Sequence, residues 1–302
     1  NQMAVHLPLS ERAIKEVKER VISDRNLLKP ADGSPTSAPS SKEIALGVYY
    51  YTSVDPRIEA GSTIYSDKNE AIFAYQTGKL FLRQLIKVKL GTDIIETTVG
   101  RILFNEVLPA EFGFVNESMV SGLIQDLIMT GFTKVPHDRV IQMIDDIKDI
   151  GFVGGTYSGL SFGISDAVVH PEKSKMIDIA NQKVAEIETT FAEGLITKEE
   201  KKRLSEAVWI ETTEEIADKT WDLVDPTSSI RIVIDAKVGR TSRDQIKQIA
   251  GMRGLVVDPL GKIVELPIKS NFREGLSVFE YVTSSRGSRK GLTDTALKTA
   301  DA

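Results

Sequence analysis

The stretch from Phe272 to Ala302 at the end of the sequence limits most strongly what this chain can fold into. It reads as one long helix, yet Gly275, Gly287 and Gly291 lie inside it. Each interior glycine costs a helix about 1 kcal/mol relative to alanine. A sequence keeps such glycines where a bulky group must approach the helix backbone closely or where the helix bends.

The charge is distributed unevenly along the chain. The net charge is -5, but the segment from Lys237 to Ala302 has 12 Lys and Arg against 7 Asp and Glu, a local balance of +5, so the remainder carries -10. A basic tail on an acidic body suits a protein with one face toward phosphates. Chance clustering of lysine and arginine on a solvated face is the alternative.

The composition is that of an ordinary globular protein, with 302 residues, 41% hydrophobic and 27% charged. This length suits one large domain or two to three small ones. The sequence has neither a run of about 18 apolar residues nor the plan of a signal peptide. With no cysteine, disulfides and cysteine zinc sites are excluded, and a cytoplasmic location is expected.

A long helical hairpin is predicted between Pro171 and Val224. Apolar residues recur at helical spacing along its first arm, at Met176, Ile177, Ala180, Val184, Ile187 and Phe191. Ala192-Glu-Gly194 breaks this stripe and Thr197 begins a second helix. The stripe continues on the return arm at Leu204, Val208, Ile216 and Trp221. We therefore expect two antiparallel helices that share an apolar core.

Shorter elements are predicted elsewhere. Residues 43–52 fit either a short buried helix or a strand. Helices are expected at about 9–23, 67–75, 97–108, 117–130, 138–150 and 242–252, strands at 80–90 and 231–235, and a β-hairpin at 255–266. Ser10 is the expected N-cap of the first helix, and Asp67 with Glu70 resembles a capping box at the start of the second. The predicted fold class is α+β, mainly helical, with mixed small sheets, the long antiparallel hairpin and the C-terminal helix.

The glycine-rich run from Gly151 to Gly163 admits two interpretations. It could cradle a phosphate, which would make the chain a phosphate-binding enzyme, but the Gly-Lys-Ser/Thr ending of such loops is missing. A tight connection that needs positive φ angles and close packing is the favoured interpretation.

Few residues fit independent catalysis. There is no cysteine nucleophile, and His6, His137 and His170 are the only imidazoles. The carboxylate pairs Asp145-Asp146 and Glu199-Glu200 lie on amphipathic helices, where we expect them to face solvent rather than to bind a metal ion. No zinc or calcium ligand spacing is present.

The C-terminal part of the sequence contains three motifs: Asn271-Phe-Arg-Glu-Gly-Leu276, Ser288-Arg-Lys-Gly-Leu292 and Asp294-Thr-Ala-Leu-Lys-Thr-Ala300. They resemble the bridge helix of the largest catalytic subunit of multi-subunit RNA polymerase, called beta-prime in bacteria. Other motifs that resemble this subunit are Gln2–His6, Thr97–Arg101, Asn116, Gly159–Asp166, His170–Lys173 and Gln245–Leu255. The resemblance covers essentially the whole chain.

The resemblance implies four consecutive regions. Residues 1–44 would follow the active-site metal motif, and residues 45–150 would form the pore region. Residues 151–235 would form the funnel region with the rim-helix hairpin. Residues 236–302 would hold a loop element and the N-terminal part of the bridge helix.

The resemblance also implies site residues. Arg240 would lie near the incoming triphosphate and stabilise charge on the leaving pyrophosphate. Arg289 and Lys290 would face nucleic-acid phosphates, and Thr299 and Ala300 would pack beneath the nascent base pair. The hairpin tip, with Glu193, Gly194, Leu195 and Thr197, would dock the elongation factors of the secondary channel.

The family's metal-binding aspartates are not in the sequence, which begins with Asn1 where the last of them would fall. We therefore expect the intact enzyme to bind Mg²⁺ through residues outside this sequence, and the isolated chain to be inactive. The implied partners are the beta, alpha, omega and sigma subunits, the DNA template, RNA, nucleoside triphosphates and secondary-channel elongation factors, with no membrane.

A rival interpretation is an independent helical-hairpin module that binds a partner protein without catalysis. The chain starts and stops inside predicted elements, at Asn1 and Ala302, and natural domains rarely do so. We therefore favour an internal part of the polymerase subunit.

Overall fold

The computed structural model describes residues 5–36, 42–238 and 242–301. These residues form two compact units, one of residues 5–161 with 231–238 and one of residues 162–230 with 242–301. The chain is mainly helical with a small mixed sheet, so the predicted fold class is confirmed. The four-region division stays a prediction.

The elements follow one another in this order: α1 (Glu11–Glu16), α2 (Lys42–Thr52), β1 (Ile64–Tyr65), α3 (Lys68–Gln76), β2 (Ile86–Leu90), β3 (Asp93–Thr97), α4 (Val99–Glu106), α5 (Ser121–Lys134), α6 (His137–Ser158), α7 (Lys173–Ala192), α8 (Lys198–Leu223), α9 (Ser229–Asp235), α10 (Arg243–Ile246) and α11 (Val278–Asp301). Turns of π-helix extend α1 at Val17–Val21 and α10 at Lys247–Gly251. Among the described helices, none has the length and apolar character that a bilayer crossing requires.

Side-chain caps start three of these helices, and two of the caps, Ser10 and Asp67, were predicted. The hydroxyl of Ser10 accepts a hydrogen bond from the backbone N–H of Ala13 at 3.2 Å. The carboxylate of Asp67 accepts one from Glu70 N–H at 2.8 Å, and Thr98 caps α4 in the same way. Such caps satisfy N–H groups that have no partner inside the helix.

The sheet has the order β1-β2-β3, with β1 parallel and β3 antiparallel to β2. The predicted strand at 80–90 is shorter than expected, because Phe81 and Gln84 close a turn through reciprocal hydrogen bonds of 3.2 Å. Strand β3 was not predicted. A turn with Gly91 at φ +63° joins it to β2.

Two apolar clusters fill the unit that contains residues 5–161. One joins α2, α4, α5 and α6 and includes Val48, Phe104, Ile124, Ile128, Met143 and Ile147. The other joins α3 and α4 to the sheet and includes Ala71, Ile86, Val88, Val99 and Ile102.

Glycines bring α2 and α6 into backbone contact. A Cβ atom on Gly47 would lie 1.8 Å from the carbonyl oxygen of Gly151, and one on Gly154 would lie 2.3 Å from the carbonyl oxygen of Gly47. The expectation that residues 151–163 form a connection was therefore wrong for the first eight of them, which continue α6. The connection begins at Gly159, whose φ of +54° ends the helix. The expected close packing is present, but between two helices.

The segment 231–235 was wrongly predicted as a strand, since it lies in α9. Its β-branched residues favour a strand locally. Arg231 and Asp235 form an ion pair of 3.0 Å, which residues four apart can make in a helix but not in a strand, where they lie about 13 Å apart.

We predict that Gly47→Ala destabilises the chain by about 1–3 kcal/mol or more, because the added methyl group overlaps the α6 backbone. Gly122→Ala in α5 is the matched control, since its Cβ would meet nothing within 4 Å. Urea unfolding followed by circular dichroism measures both. Equal midpoints for the two variants would refute the close crossing.

Candidate nucleic-acid-facing helix and its supports

Helices α7 and α8 form the predicted antiparallel hairpin. Near the tip, Lys201 Nζ lies 3.2 Å from Glu188 Oε1. Near the base, Lys219 Nζ lies 3.6 Å from Met176 Sδ. Its core contains Met176, Ala180, Trp209, Ile216 and Met252. The apolar stripe in the sequence thus identified part of this core, including Met176, Ala180 and Ile216, but missed Trp209 and Met252.

The tip of the hairpin is closed by a Schellman motif. The N–H groups of Gly194 and Leu195 donate to the carbonyls of Phe191 and Thr190 at 3.0 and 3.2 Å. Gly194 adopts φ +74°, which favours glycine. The hydroxyl of Thr197 then caps α8 by accepting a hydrogen bond from Glu200 N–H at 3.2 Å. Gly194 and Thr197 therefore have structural roles at the tip.

Two of the predicted docking residues present side chains to solvent. Leu195 is 71% exposed, and Glu193 is exposed beside it at the end of α7. An exposed leucine beside a carboxylate is a feature that a protein partner can recognise.

The buried amide of Asn271 ends the helical segment that precedes α11. Its Nδ2 donates to the carbonyls of Ala250 and Gly251 at 2.8 and 3.1 Å. Its Oδ1 accepts a hydrogen bond from Glu274 N–H at 2.8 Å. One fully buried side chain thus satisfies two helix-end carbonyls and also fixes the following turn.

The backbone after Asn271 continues this capping. The N–H groups of Phe272 and Arg273 donate to the carbonyls of Gln248 and Ile249 at 3.1 and 3.0 Å. Together with the amide of Asn271, they give partners to four consecutive carbonyls, from Gln248 to Gly251. A helix end buried in this way needs such partners.

The same segment is tied to the base of α7. The ammonium group of Lys173, whose side chain is only 7% exposed, is paired with the carboxylate of Glu274. Arg273 donates a hydrogen bond to the carbonyl of Ala167. Because a buried ammonium group needs a partner, Glu274 stabilises the position of the hairpin base.

The carboxylate of Glu280 anchors the start of α11. It accepts hydrogen bonds from the N–H groups of Lys269, Ser270 and Ser277 at 3.0, 3.1 and 2.9 Å. It also accepts one from the hydroxyl of Ser270 at 2.9 Å. Partial burial raises the pKa of Glu280, but the hydrogen bonds from Ser277 and Ser270 outweigh it and lower the pKa to about 2.

Helix α11 begins at Val278, so the predicted start at Phe272 was wrong. Residues 271–275 form a turn in which Gly275 N–H donates to the Asn271 carbonyl at 3.1 Å. Gly275 has φ +87°, which a helix excludes. The pattern Ser277-x-x-Glu280 is a capping box and was the overlooked signal for the true start.

The poor helix formers inside α11 bond to its own backbone. The hydroxyls of Thr283, Ser285 and Ser288 donate to the carbonyls three or four residues earlier at 2.9, 3.1 and 3.2 Å. These bonds keep the hydroxyls paired inside a helix. The helix therefore runs unbroken to Asp301.

A short hairpin-like segment supports one face of α11. It was predicted as a β-hairpin at 255–266, and it has a single bridge between Val257 and Ile263 around a turn rather than regular strands. The carboxylate of Asp258 holds this turn by accepting hydrogen bonds from Leu260 and Lys262 N–H at 2.7 and 2.9 Å. We call residues 255–264 the support loop.

Gly287 lets α11 touch the support loop. A Cβ atom at Gly287 would lie 2.4 Å from the carbonyl oxygen of Val257. Ser284, one turn earlier on this face, is buried. The close approach that the sequence predicted is thus made here by the chain's own backbone.

The predicted phosphate-contacting residues of α11 differ in their surroundings. The ammonium group of Lys290 donates to the carbonyl of Pro259 in the support loop. Arg289 is exposed, and it lies about 200° around the helix from Gly287. Of this pair, Arg289 therefore faces away from the support loop.

The remaining predicted site residues fall outside what the structure describes. Arg240 lies outside the described residues. Thr299 and Ala300 belong to the last turns of α11, and their side chains lie outside the described part. Among the described residues, no three or more His, Cys, Asp or Glu side chains group in a way that could hold a metal ion.

Comparisons with known proteins match all of the chain. Residues 26–167 match the family described as RNA polymerase Rpb1, domain 3. All of the chain aligns, at 43% identity, with 19% of the DNA-directed RNA polymerase subunit beta' of Thermosipho africanus. All of it also aligns, at 38% identity, with 26% of the subunit beta' of Pelotomaculum thermopropionicum.

These similarities define the chain as part of the large catalytic subunit of a multi-subunit RNA polymerase. The chain belongs to the family of the RNA polymerase subunit beta'. The chain spans about a fifth to a quarter of the length of the curated relatives it matches.

We predict that Asn271→Ala lowers the free energy of unfolding by about 1–3 kcal/mol, because it leaves two buried carbonyls without donors. Hydrogen exchange should increase at residues 247–251 and 272–276. The control is Asn26→Ala, an exposed asparagine whose Nδ2 likewise donates to two carbonyls. Unchanged exchange at both segments would show that Asn271 has no anchoring role.

We also predict that the anchor at Glu280 weakens in acid. Its pKa in the folded chain lies below the ordinary 4.5, so its contribution to stability is present above that value and is lost as the pH falls toward about 2. The wild-type chain and Glu280→Gln should differ in hydrogen exchange of the first turn of α11 at neutral pH and converge in acid. A difference that persists unchanged at low pH would contradict this linkage.

Proposed function

We propose that this chain serves in DNA-templated RNA synthesis as the part of a DNA-dependent RNA polymerase that borders the secondary channel and carries the bridge helix beside the active centre. Family membership supports the assignment. Helices α7 and α8 correspond to the rim helices of that family, and α11 corresponds to its bridge helix.

One observation carries the proposal: α11 is fixed on one face and exposes an arginine on the other. Glu280 anchors its start, and Gly287 rests on the support loop. Arg289 remains exposed on the opposite side. A cation held on a rigid helix can bind backbone phosphates, which supply most of the sequence-independent affinity for nucleic acid.

The other site residues extend this proposal. Arg240 would stabilise negative charge on the triphosphate of the incoming nucleotide. Thr299 and Ala300 would let the nascent base pair approach α11, and Lys290 would contribute positive charge once released from Pro259. The Mg²⁺ used in nucleotidyl transfer would be bound by residues outside the present sequence.

The proposed partners include the other polymerase subunits (beta, alpha, omega and sigma), together with DNA and RNA, in the cytoplasm. Val278 and Phe279 on the first turn of α11 are 77% and 86% exposed. Such large apolar side chains favour coverage by another protein surface. We assign that role to the rest of the polymerase.

The hairpin tip would dock the elongation factors of the secondary channel. Leu195 and Glu193 would make the contacts, while Gly194 and Thr197 would hold the shape of the tip. An independent hairpin module is the second candidate, because α7 and α8 share an apolar core. Nucleic-acid binding that depends on α11 distinguishes the two.

We predict that Arg289→Ala weakens binding of the assembled polymerase to a primed template and reduces the slope of log K against log salt by about 1, since one phosphate contact is lost. Arg139→Ala, at an exposed arginine of α6, is the matched control. Fluorescence anisotropy across a salt series measures both. The same slope for both variants would remove Arg289 from the interface.

We predict that Leu195→Ala weakens factor binding roughly tenfold to a hundredfold, because a leucine buried in an interface contributes about 1.5–3 kcal/mol. Leu223→Ala, at the other end of α8 and 44% exposed, should have no effect. Isothermal titration of the assembled polymerase with a secondary-channel factor gives both affinities. Equal losses would place the docking surface elsewhere.

A further inference from the structure

A pocket of about 270 Å³ opens in the unit that contains residues 5–161. It lies between the end of α2, the turn before β2 and the ends of α3 and α6. Its aromatic and charged lining consists of Tyr50, Tyr75, Phe81, Tyr157, Asp55 and Arg83. The pocket lies apart from α11 and the hairpin in sequence, and the proposed function gives it no role.

The guanidinium group of Arg83 in this pocket lacks a full set of partners. Its side chain is only 8% exposed, and its nearest carboxylate oxygen, on Asp55, lies 3.7 Å away. One nitrogen donates to the carbonyl of Val54 at 3.3 Å. The Nε–H has no hydrogen-bond acceptor among the described residues. Buried cations normally have closer acceptors than these.

The carboxylate of Asp55 is already occupied by a second arginine. Arg57 Nε and Nη2 donate to its two oxygens at 3.0 and 2.8 Å, and the Arg57 backbone N–H adds a bond of 3.0 Å. These bonds hold the pKa of Asp55 below its ordinary value. Two guanidinium groups therefore share one carboxylate, which leaves a local charge of +1.

The rest of the pocket offers aromatic surface. The ring of Tyr50 lies under the Arg83 guanidinium, with 4.4 Å between its centroid and Cζ. Phe81 and Tyr157 are 63% and 67% exposed. Flat rings of this kind pack well against a flat apolar ligand.

We propose that this pocket binds a small aromatic carboxylate. Its carboxylate would pair with the Arg83 guanidinium and supply the missing negative charge, while its ring would pack against Phe81 and Tyr157. Recognition by one buried charge and an aromatic wall is a common plan for small-molecule sites. This ligand site is additional to the polymerase role and does not depend on it.

Benzoate is the probe, and binding to the full chain is followed by saturation-transfer NMR and by titration of amide shifts. Benzamide has the same ring without the charge, so its affinity should be lower by a factor of about ten or more. Acetate, which has the charge without the ring, should also bind weakly. A short acidic peptide tests whether the pocket instead accepts a protein carboxylate.

Two exposed positions test the site without endangering the fold. Tyr157→Ala removes part of the aromatic wall and should weaken benzoate binding. Arg57→Ala does not touch the proposed ligand but frees Asp55 to pair with Arg83, so it should also weaken binding, by about tenfold. Lys79→Ala, at an exposed lysine close in sequence to the pocket, is the charge-matched control and should leave binding unchanged.

The proposal is overturned if benzoate fails to bind, if benzamide binds equally well, or if the acidic peptide binds and benzoate does not. It is also overturned if Arg57→Ala and Lys79→Ala have the same affinity for benzoate, because binding would then not depend on the charge imbalance at Arg83. None of these outcomes bears on nucleic-acid binding by α11.

Discussion

The buried amide of Asn271 determines the path of the chain from the helical segment before it into α11. It ends the π-helical turn after α10, and it fixes the turn that leads to α11. The residues beside it are held at the same place, Arg273 by Ala167 and Glu274 by Lys173. A side chain without both a donor and an acceptor could not make these contacts. The direction of α11 and the place of the hairpin base thus depend on one amide.

Small residues decide where backbones meet in both units. Gly47 and Gly151 bring two helices together in one unit, and Gly287 brings a helix onto a loop in the other. At Gly47 and at Gly287 a carbonyl oxygen occupies the space of the missing side chain. Glycine at these positions lowers helix stability, because it disfavours a helix interior, but it allows the backbones to pack closely.

The sequence predicted the elements whose signals are local. The apolar stripe of α7 and α8 and the capping residues Ser10 and Asp67 fall where expected, because spacing and capping depend on near neighbours. The failures depend on distant partners. Gly151 looks like a loop residue until α2 packs on it, and residues 231–235 favour a strand by composition alone.

The candidate site likewise combines features that have a local signal in the sequence with features that depend on distant residues. A basic face on α11 could be predicted from composition, but the sequence could not separate Arg289 from Lys290, because only the support loop distinguishes their surroundings. Glu280 had a local signal, the capping box with Ser277. Its bonds to Lys269 and Ser270 come from outside the helix and carry no signature in the sequence.

The ion pair between Lys173 and Glu274 holds the hairpin at its base, so a displacement of the tip corresponds to a rotation about this point. The 20 residues of α7 give an arm of about 30 Å, so a sideways movement of about 3 Å at Leu195 requires a rotation of only about 6° at Lys173. A force applied at the tip is therefore multiplied at the base. There it acts on the segment from which α11 starts, through a contact that a single substitution can remove.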